Sequence, residues 1–142
     1  MDEAISPEPL LELGTGYWTS KAFLTACNLK LFSLVEAGND TLDRLARALA
    51  LPERGTRYLL DGMTGLGLLH KAEGRYRTAP VASAYLVEGK PGYMGGLFVT
   101  LDRHFFAPFA GLEEALREDR PVWPLDPRGH RVPLTPEQSE LF

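Results

Sequence analysis

Histidine and cysteine are the residue types of this chain that could act as catalysts or metal ligands. The 142 residues contain three histidines and one cysteine, Cys27. A lone cysteine excludes an internal disulfide, and one cysteine with three scattered histidines excludes a Cys/His zinc cage. No serine, cysteine or aspartate is spaced with a histidine in a way that predicts a catalytic triad. His70, in a candidate hairpin, and His130, in a proline-rich segment, are most simply solvated.

The segment 10–16 contains the glycines that could approach a cofactor. It reads Leu-Leu-Glu-Leu-Gly-Thr-Gly and imitates the strand and glycine turn that hold a nucleotide or a methyl donor. However, bulky Tyr17 and Trp18 stand where a further glycine is required. The segment that leads to Glu36, the candidate ribose-binding acid, has helical rather than strand periodicity. We therefore reject a cofactor loop here and predict that this chain alone binds no cofactor.

The aromatic segment from Phe98 to Phe109 is the second candidate site, because it holds four of the seven phenylalanines. Phe105, Phe109, Leu112 and Leu116 form a helical stripe, which is typical of a core or an interface. The remaining aromatic side chains could line a pocket for a flat, apolar substrate. Both interpretations hold if this helix packs on a second domain. His104 either hydrogen-bonds a polar ligand in that pocket or lies on a helix face or interface.

Helices must position most of these residues. Apolar residues at helical spacing predict one long helix from Tyr17 to about Ala37, ended by Gly38-Asn39. Two short amphipathic helices follow on either side of Pro52, the first capped at Asp40 or Thr41 and the second running from about Glu53 to Leu66. Residues 68–72 and 75–78 flank the turn Glu73-Gly74 and predict a β-hairpin. Helix, helix-turn-helix and hairpin is the order of a winged helix.

The last third of the chain has two further patterns. A short helical piece lies around 81–87, and a longer helix is predicted from Tyr93 to about Glu118, with a kink or restart at Pro108. Five of the eleven prolines lie in 120–136, which predicts an extended linker. Thr135-Pro136 with Gln138 forms a capping box, so a helix should begin there. We expect the chain to be a fragment whose next domain begins at this helix, with a frayed tail as the alternative.

Charge and composition exclude several classes of protein. The chain is 44% hydrophobic and 24% charged with a net charge of −4, which favours a globular protein without general affinity for nucleic acid or anionic membranes. No apolar run approaches the roughly 20 residues of a membrane span, and the acidic N-terminus does not resemble a secretion signal. We expect a cytoplasmic protein.

Four segments together resemble one known family. Ala26–Phe32, Thr41–Leu49, Arg57–Leu69 and Gly74–Thr78 are similar, in order and spacing, to the N-terminal motifs of S-adenosylmethionine-dependent O-methyltransferases of the plant caffeate and acetylserotonin type, which also occur in bacterial natural-product pathways. The resemblance covers roughly residues 10–120. The chain departs from the motif where Asn28 and Lys30 stand near the usual glycine and Ser33 replaces a common aspartate.

The resemblance implies a mostly α fold, a winged helix-turn-helix with a small β-hairpin wing and extra dimerisation helices. It also implies a homodimer and a pocket for a small aromatic or polyketide-like acceptor. In the full-length enzyme, S-adenosylmethionine and the catalytic base belong to a following Rossmann domain, so this segment alone is predicted to be inactive. The expected interface residues are Tyr17, Trp18, Phe23 and Cys27. The expected pocket residues, chosen from aromatic density and from where the family places its pocket helix, are Phe98, Leu101, His104, Phe105 and Phe109.

The chain is accordingly divided into an N-terminal arm (1–16), a winged-helix core (17–90), aromatic-rich dimerisation and pocket helices (91–119), and a proline-rich linker with the start of a missing helix (120–142). Two other functions stay open at this stage. The chain could be a stand-alone winged-helix regulator that binds DNA, although 53–78 carries a net charge of only +2. It could also be a natural stand-alone module that works beside a separately encoded methyltransferase.

Overall fold

The computed structural model of the chain describes residues 5–123. Helices dominate, and the two strands form one small antiparallel sheet. The elements in chain order are α1 (Glu8–Asn28), α2 (Leu31–Glu36), α3 (Leu42–Leu49), α4 (Glu53–Gly65), β1 (Leu69–Ala72), β2 (Arg75–Thr78), α5 (Pro80–Tyr85), α6 (Gly95–Thr100), a π-helix (Leu101–Phe106), α7 (Ala107–Phe109) and α8 (Leu112–Arg117). The predicted mostly α, winged-helix fold with a hairpin is confirmed.

The prediction of one helix from Tyr17 to Ala37 is wrong at both ends. Helix α1 already begins at Glu8, within the predicted arm, because prolines are compatible with a first helical turn. The helix ends at Asn28, since Lys30 adopts a left-handed conformation with φ 53° that an α-helix cannot continue. The chain turns there, and α2 buries Leu31 and Phe32 in the core.

The predicted helix-turn-helix and hairpin are confirmed. The Thr41 hydroxyl accepts a hydrogen bond from the backbone N–H of Arg44, at 3.4 Å, and so caps α3. Strands β1 and β2 pair antiparallel in the register that places Ala72 opposite Arg75. Glu73 and Gly74 between them both have positive φ, as a two-residue type I′ turn requires.

One core joins α1 through α5 with the hairpin. Its largest side chains without solvent exposure belong to α2, α3, α4 and β1, where each helix turns its apolar stripe inward. They are Phe32, Leu31, Leu45, Leu60, Met63 and Leu69.

The predicted helix from Tyr93 to Glu118 is interrupted. It begins at Gly95, widens into the π-helix, and ends at Phe109 before α8 starts at Leu112. Pro108 has no N–H group and its ring crowds the preceding turn, which a wider turn relieves. The break also ends the expected apolar stripe, because Leu116 in α8 is 73% exposed. The predicted linker beyond Trp123 and the helix at Thr135 lie outside the described residues.

Candidate functional site

An apolar cavity of about 350 Å³ lies between α1 and the segment from α6 to α7. A volume of this size is at the lower end of the range of small-molecule sites. Four of the five predicted pocket residues line it. The lining residues are Ser20, Phe23, Leu24, Phe98, Leu101, Phe105, Phe106, Phe109 and Trp123.

The π-helix explains why so many aromatic rings reach one cavity. Its hydrogen bonds span five residues instead of four, which widens the turn. Side chains four and five positions after Leu101, namely Phe105 and Phe106, therefore both line the cavity. Phe106 is one of the remaining aromatic side chains that could line a pocket, but a periodicity of 3.6 residues per turn does not select it among them. Trp123 was missed because it follows the helices, in the segment taken as a linker.

His104 does not join the other predicted pocket residues, and of its two predicted positions the structure shows the one on a helix face. It lies on the π-helix but is exposed and does not line the cavity. Its imidazole is therefore not positioned to hydrogen-bond a ligand there.

Helix α1 forms the opposite wall of the cavity. The rings of Phe23 and Phe98 pack edge to face, with centroids 4.7 Å apart and an interplanar angle of 74°. Phe23, predicted to lie in the dimer interface, thus contacts α6 of its own chain and lines the cavity.

A buried polar cluster holds the π-helix against α1. Asp102 is only 9% exposed, and its two carboxylate oxygens accept hydrogen bonds from Lys21 Nζ and from Asn28 Nδ2, each at 2.5 Å. The same ammonium group lies 5.1 Å from the centroid of the Phe106 ring, which lines the cavity. A buried carboxylate is costly unless it is paired in this way. The cluster therefore fixes the position of the cavity's π-helical wall, and no sequence motif indicated it.

The N-terminal half of α1 carries a second feature, an exposed apolar surface. We call this surface the α1 face; it consists of Leu10, Leu11, Leu13, Tyr17 and Trp18. Leu13 is 81% and Trp18 62% exposed, and every residue from Glu8 to Gly14 is exposed. Tyr17 and Trp18 contact each other edge to face at 5.9 Å. Exposed apolar surfaces that consist of several large side chains are typical of interaction sites.

Cys27 does not share this exposure. Only 7% of the residue is exposed, it packs in the core with Leu31 and Leu60, and burial raises the pKa of its thiol to about 12. The prediction that Cys27 lies in the dimer interface is not supported, because its own chain already covers its side chain.

The glycine segment does not fit a methyl donor or a nucleotide. Gly14 and Gly16 lie inside α1, and Thr15 Oγ1 donates a hydrogen bond to the Leu11 carbonyl oxygen at 2.7 Å. Backbone N–H groups within a helix bond to carbonyls one turn back and cannot cradle a phosphate. Within residues 5–123, no three histidine, cysteine, aspartate or glutamate side chains are grouped to hold a metal ion. No helix in that range is both long and apolar enough to cross a membrane.

Residues 11–88, more than half of the chain, match the family model of the O-methyltransferase dimerisation domain. The chain belongs to this family. The resemblance of its four motifs to the N-terminal part of such enzymes is thereby confirmed.

Similar proteins are longer than this dimerisation domain. The 3-hydroxy-5-methyl-1-naphthoate 3-O-methyltransferase of Streptomyces sahachiroi is 36% identical over 119 residues, which cover 84% of this chain and 34% of the relative. The tetracenomycin polyketide synthesis 8-O-methyl transferase of Streptomyces glaucescens is 37% identical over 112 residues, which cover 78% and 33%. The crystal structure of human N-acetylserotonin methyltransferase in complex with SAM superposes with a TM-score of 0.74 at 25% identity, over 84% of this chain and 37% of that one. The chain thus spans about a third of the length of these relatives.

The charges on the winged-helix part of the dimerisation domain are largely engaged within the chain. Lys71 Nζ lies 3.5 Å from Asp61 Oδ1, and the Arg75 guanidinium on the hairpin pairs with Asp40. Such pairs reduce the positive charge that a duplex would meet. These ion pairs and the family match both favour the methyltransferase interpretation over a DNA-binding regulator.

Proposed function

We propose that this chain is the dimerisation and acceptor-pocket part of an S-adenosylmethionine-dependent O-methyltransferase, and that two copies associate through the α1 face. The single observation that carries the proposal is that α1 presents large apolar side chains to water along its first half and a cavity wall along its second. One helix thus serves both an interface and a pocket.

The α1 face supplies enough apolar surface to hold two copies together. Fully burying one large apolar side chain is worth about 1.5–3 kcal/mol. Association costs roughly 4–15 kcal/mol, so a stable interface needs several such side chains. The α1 face has five on each copy, and in a two-fold symmetric dimer both copies contribute them. An isologous homodimer is therefore the arrangement that this surface favours.

The cavity is proposed to hold part of a small aromatic or polyketide-like acceptor that bears a hydroxyl group. Relatives named for a naphthoate and for polyketide synthesis support this class and a role in natural-product biosynthesis. Its aromatic lining would orient a flat acceptor and exclude water from it. The methyl donor and the base are assigned to the part of the relatives that this chain does not match. The chain alone is proposed to be inactive.

Size-exclusion chromatography with light scattering tests the proposed dimer. The native chain should elute with twice the mass of one copy. Leu13→Glu places a charge in the α1 face and should shift the protein to a single copy, because a buried unpaired charge is strongly unfavourable. Leu116→Glu, a change at a similarly exposed leucine on α8, is the matched control and should remain dimeric. Equal behaviour of the two variants would contradict the role of the α1 face.

A further inference from the structure

Trp123 lies at the end of the cavity that the π-helix and α7 form. Its ring centroid is 5.7 Å from that of Phe105, at an interplanar angle of 62°, and 5.8 Å from that of Phe109, at 40°. Offset and edge-to-face contacts at these distances are favourable. The three rings form a cluster, which we call the indole cluster: Phe105, Phe109 and Trp123.

We propose that Trp123 is a specificity-determining residue of the cavity and that it selects acceptors with fused aromatic rings over those with a single ring. The proposal rests on the proposed function of the cavity and adds to it the residue that sets the size of the acceptor. Selection between acceptors of different size depends on how much aromatic surface of the cavity each acceptor contacts.

The cavity contains two separate aromatic contacts that a ligand can use. The indole cluster belongs to the π-helix, α7 and the segment after α8, whereas the pair of Phe23 and Phe98 belongs to α1 and α6. A single ring stacks on one of the two. A fused-ring system presents a larger flat apolar surface than a single ring and loses more contact area when the indole is removed, so its binding depends more strongly on the indole.

The lining of the cavity has few polar groups that could discriminate between ligands. Among the lining residues that the structure describes, only Ser20 and Trp123 have a side chain that contains a polar group. An apolar pocket distinguishes ligands mainly by shape and contact area. The extent of the aromatic wall therefore determines which acceptor binds best.

Trp123 lies outside the buried core of α1 to α5. The residue follows the helices and is partly exposed. Phe105 and Phe109, in contrast, are carried by the helical wall that Asp102 anchors to α1. Of the three rings in the cluster, the indole is therefore the one that no helix carries.

Nuclear magnetic resonance of the native chain can locate the binding, because its two tryptophans each give one indole N–H signal. The probes are 2-naphthol and phenol, which share a hydroxyl group and differ by one fused ring. We expect 2-naphthol to shift the Trp123 signal in a saturable manner while the Trp18 signal stays in place. Trp18→Phe removes one of the two signals and so assigns them.

Affinities from the same titrations test the selection. Trp123→Ala should weaken 2-naphthol binding about tenfold and phenol binding much less. Trp123→Phe keeps an aromatic surface and should restore most of the difference, which also guards against a folding defect in the alanine variant.

Each outcome separates the inference from the proposed function. Equal losses for both probes in Trp123→Ala, or no loss at all, overturn the role of Trp123 and leave the pocket standing. Failure of the native chain to bind either probe overturns both, since no acceptor pocket then exists.

Discussion

Lys21 Nζ lies 2.5 Å from Oδ1 of Asp102, across 81 residues of sequence. The pair joins the helix that carries the α1 face to the π-helix that carries the cavity wall. Because Asp102 is buried and Lys21 is about half exposed, the carboxylate is the partner that depends on the contact.

The pair predicts an unequal response to mutation. Lys21→Met leaves a buried carboxylate with only the Asn28 amide and should lower the free energy of unfolding by about 1–3 kcal/mol. Asp102→Asn removes the charge and should cost less. Urea denaturation of both single variants and the double variant measures the coupling. If the two losses simply add, the residues do not stabilise each other.

Glu36 makes stability depend on acid. Hydrogen bonds from Lys90 and from the hydroxyls of Thr78 and Ser83 lower its carboxyl pKa from 4.5 to about 2. A carboxyl whose pKa is lower in the folded state stabilises fully above its unfolded pKa, and that stabilisation is lost as pH falls toward the folded pKa. The advantage of the native chain over Glu36→Gln should therefore shrink between about pH 5 and pH 2.

The control for this acid dependence is Glu113→Gln. Glu113 pairs with Arg117 on the exposed surface of α8, where an ion pair contributes little. Its replacement should leave the pH profile of stability unchanged. If the difference in the free energy of unfolding between the native chain and Glu36→Gln does not change between about pH 5 and pH 2, the Glu36 carboxylate does not anchor the hairpin and α5 to α2.

The backbone conformation at Lys30 should make glycine more stable than alanine at this position. Its φ of 53° lies in the left-handed region, which costs about 1–2 kcal/mol for a residue with a Cβ atom and little for glycine. Lys30→Gly should stabilise the fold by about 0.5–1 kcal/mol relative to Lys30→Ala. Both variants lose the exposed pair with Glu88, so thermal unfolding of the two isolates the backbone effect. A less stable glycine variant would rule out this conformation.

Cys27 provides a chemical test of its placement in the core. With its thiol buried and its pKa raised to about 12, the native chain should react with a thiol reagent only as fast as it unfolds. Leu13→Glu, which separates the copies, should not speed the reaction. Rapid labelling of Leu13→Glu but not of the native chain would show that Cys27 is covered by the second copy and lies in the interface.

Local patterns predicted the helix-turn-helix and the hairpin because each depends on residues close in sequence. The Thr41 cap and the Glu73-Gly74 turn specify their own geometry. The break at Lys30 was missed because no glycine marks it, although the family resemblance placed a glycine near that position. The apolar periodicity simply continues from Phe23 through Val35.

The candidate site was only partly predictable. Phe98, Leu101, Phe105 and Phe109 follow from aromatic density and from the position of the pocket helix in the family that the chain resembles, and all four line the cavity. The remaining features depend on tertiary structure: the π-helix that turns Phe106 inward, the Asp102 cluster and the return of Trp123 to the cavity. Periodicity also could not separate the exposed half of α1 from the half that ends with Cys27 in the core.

Sedimentation equilibrium of the native chain measures whether two copies associate through the α1 face. At micromolar concentrations we expect the mass of two copies for the native chain and a mass that falls toward one copy only for Leu13→Glu. A native chain that sediments with the mass of a single copy throughout this range would contradict this association.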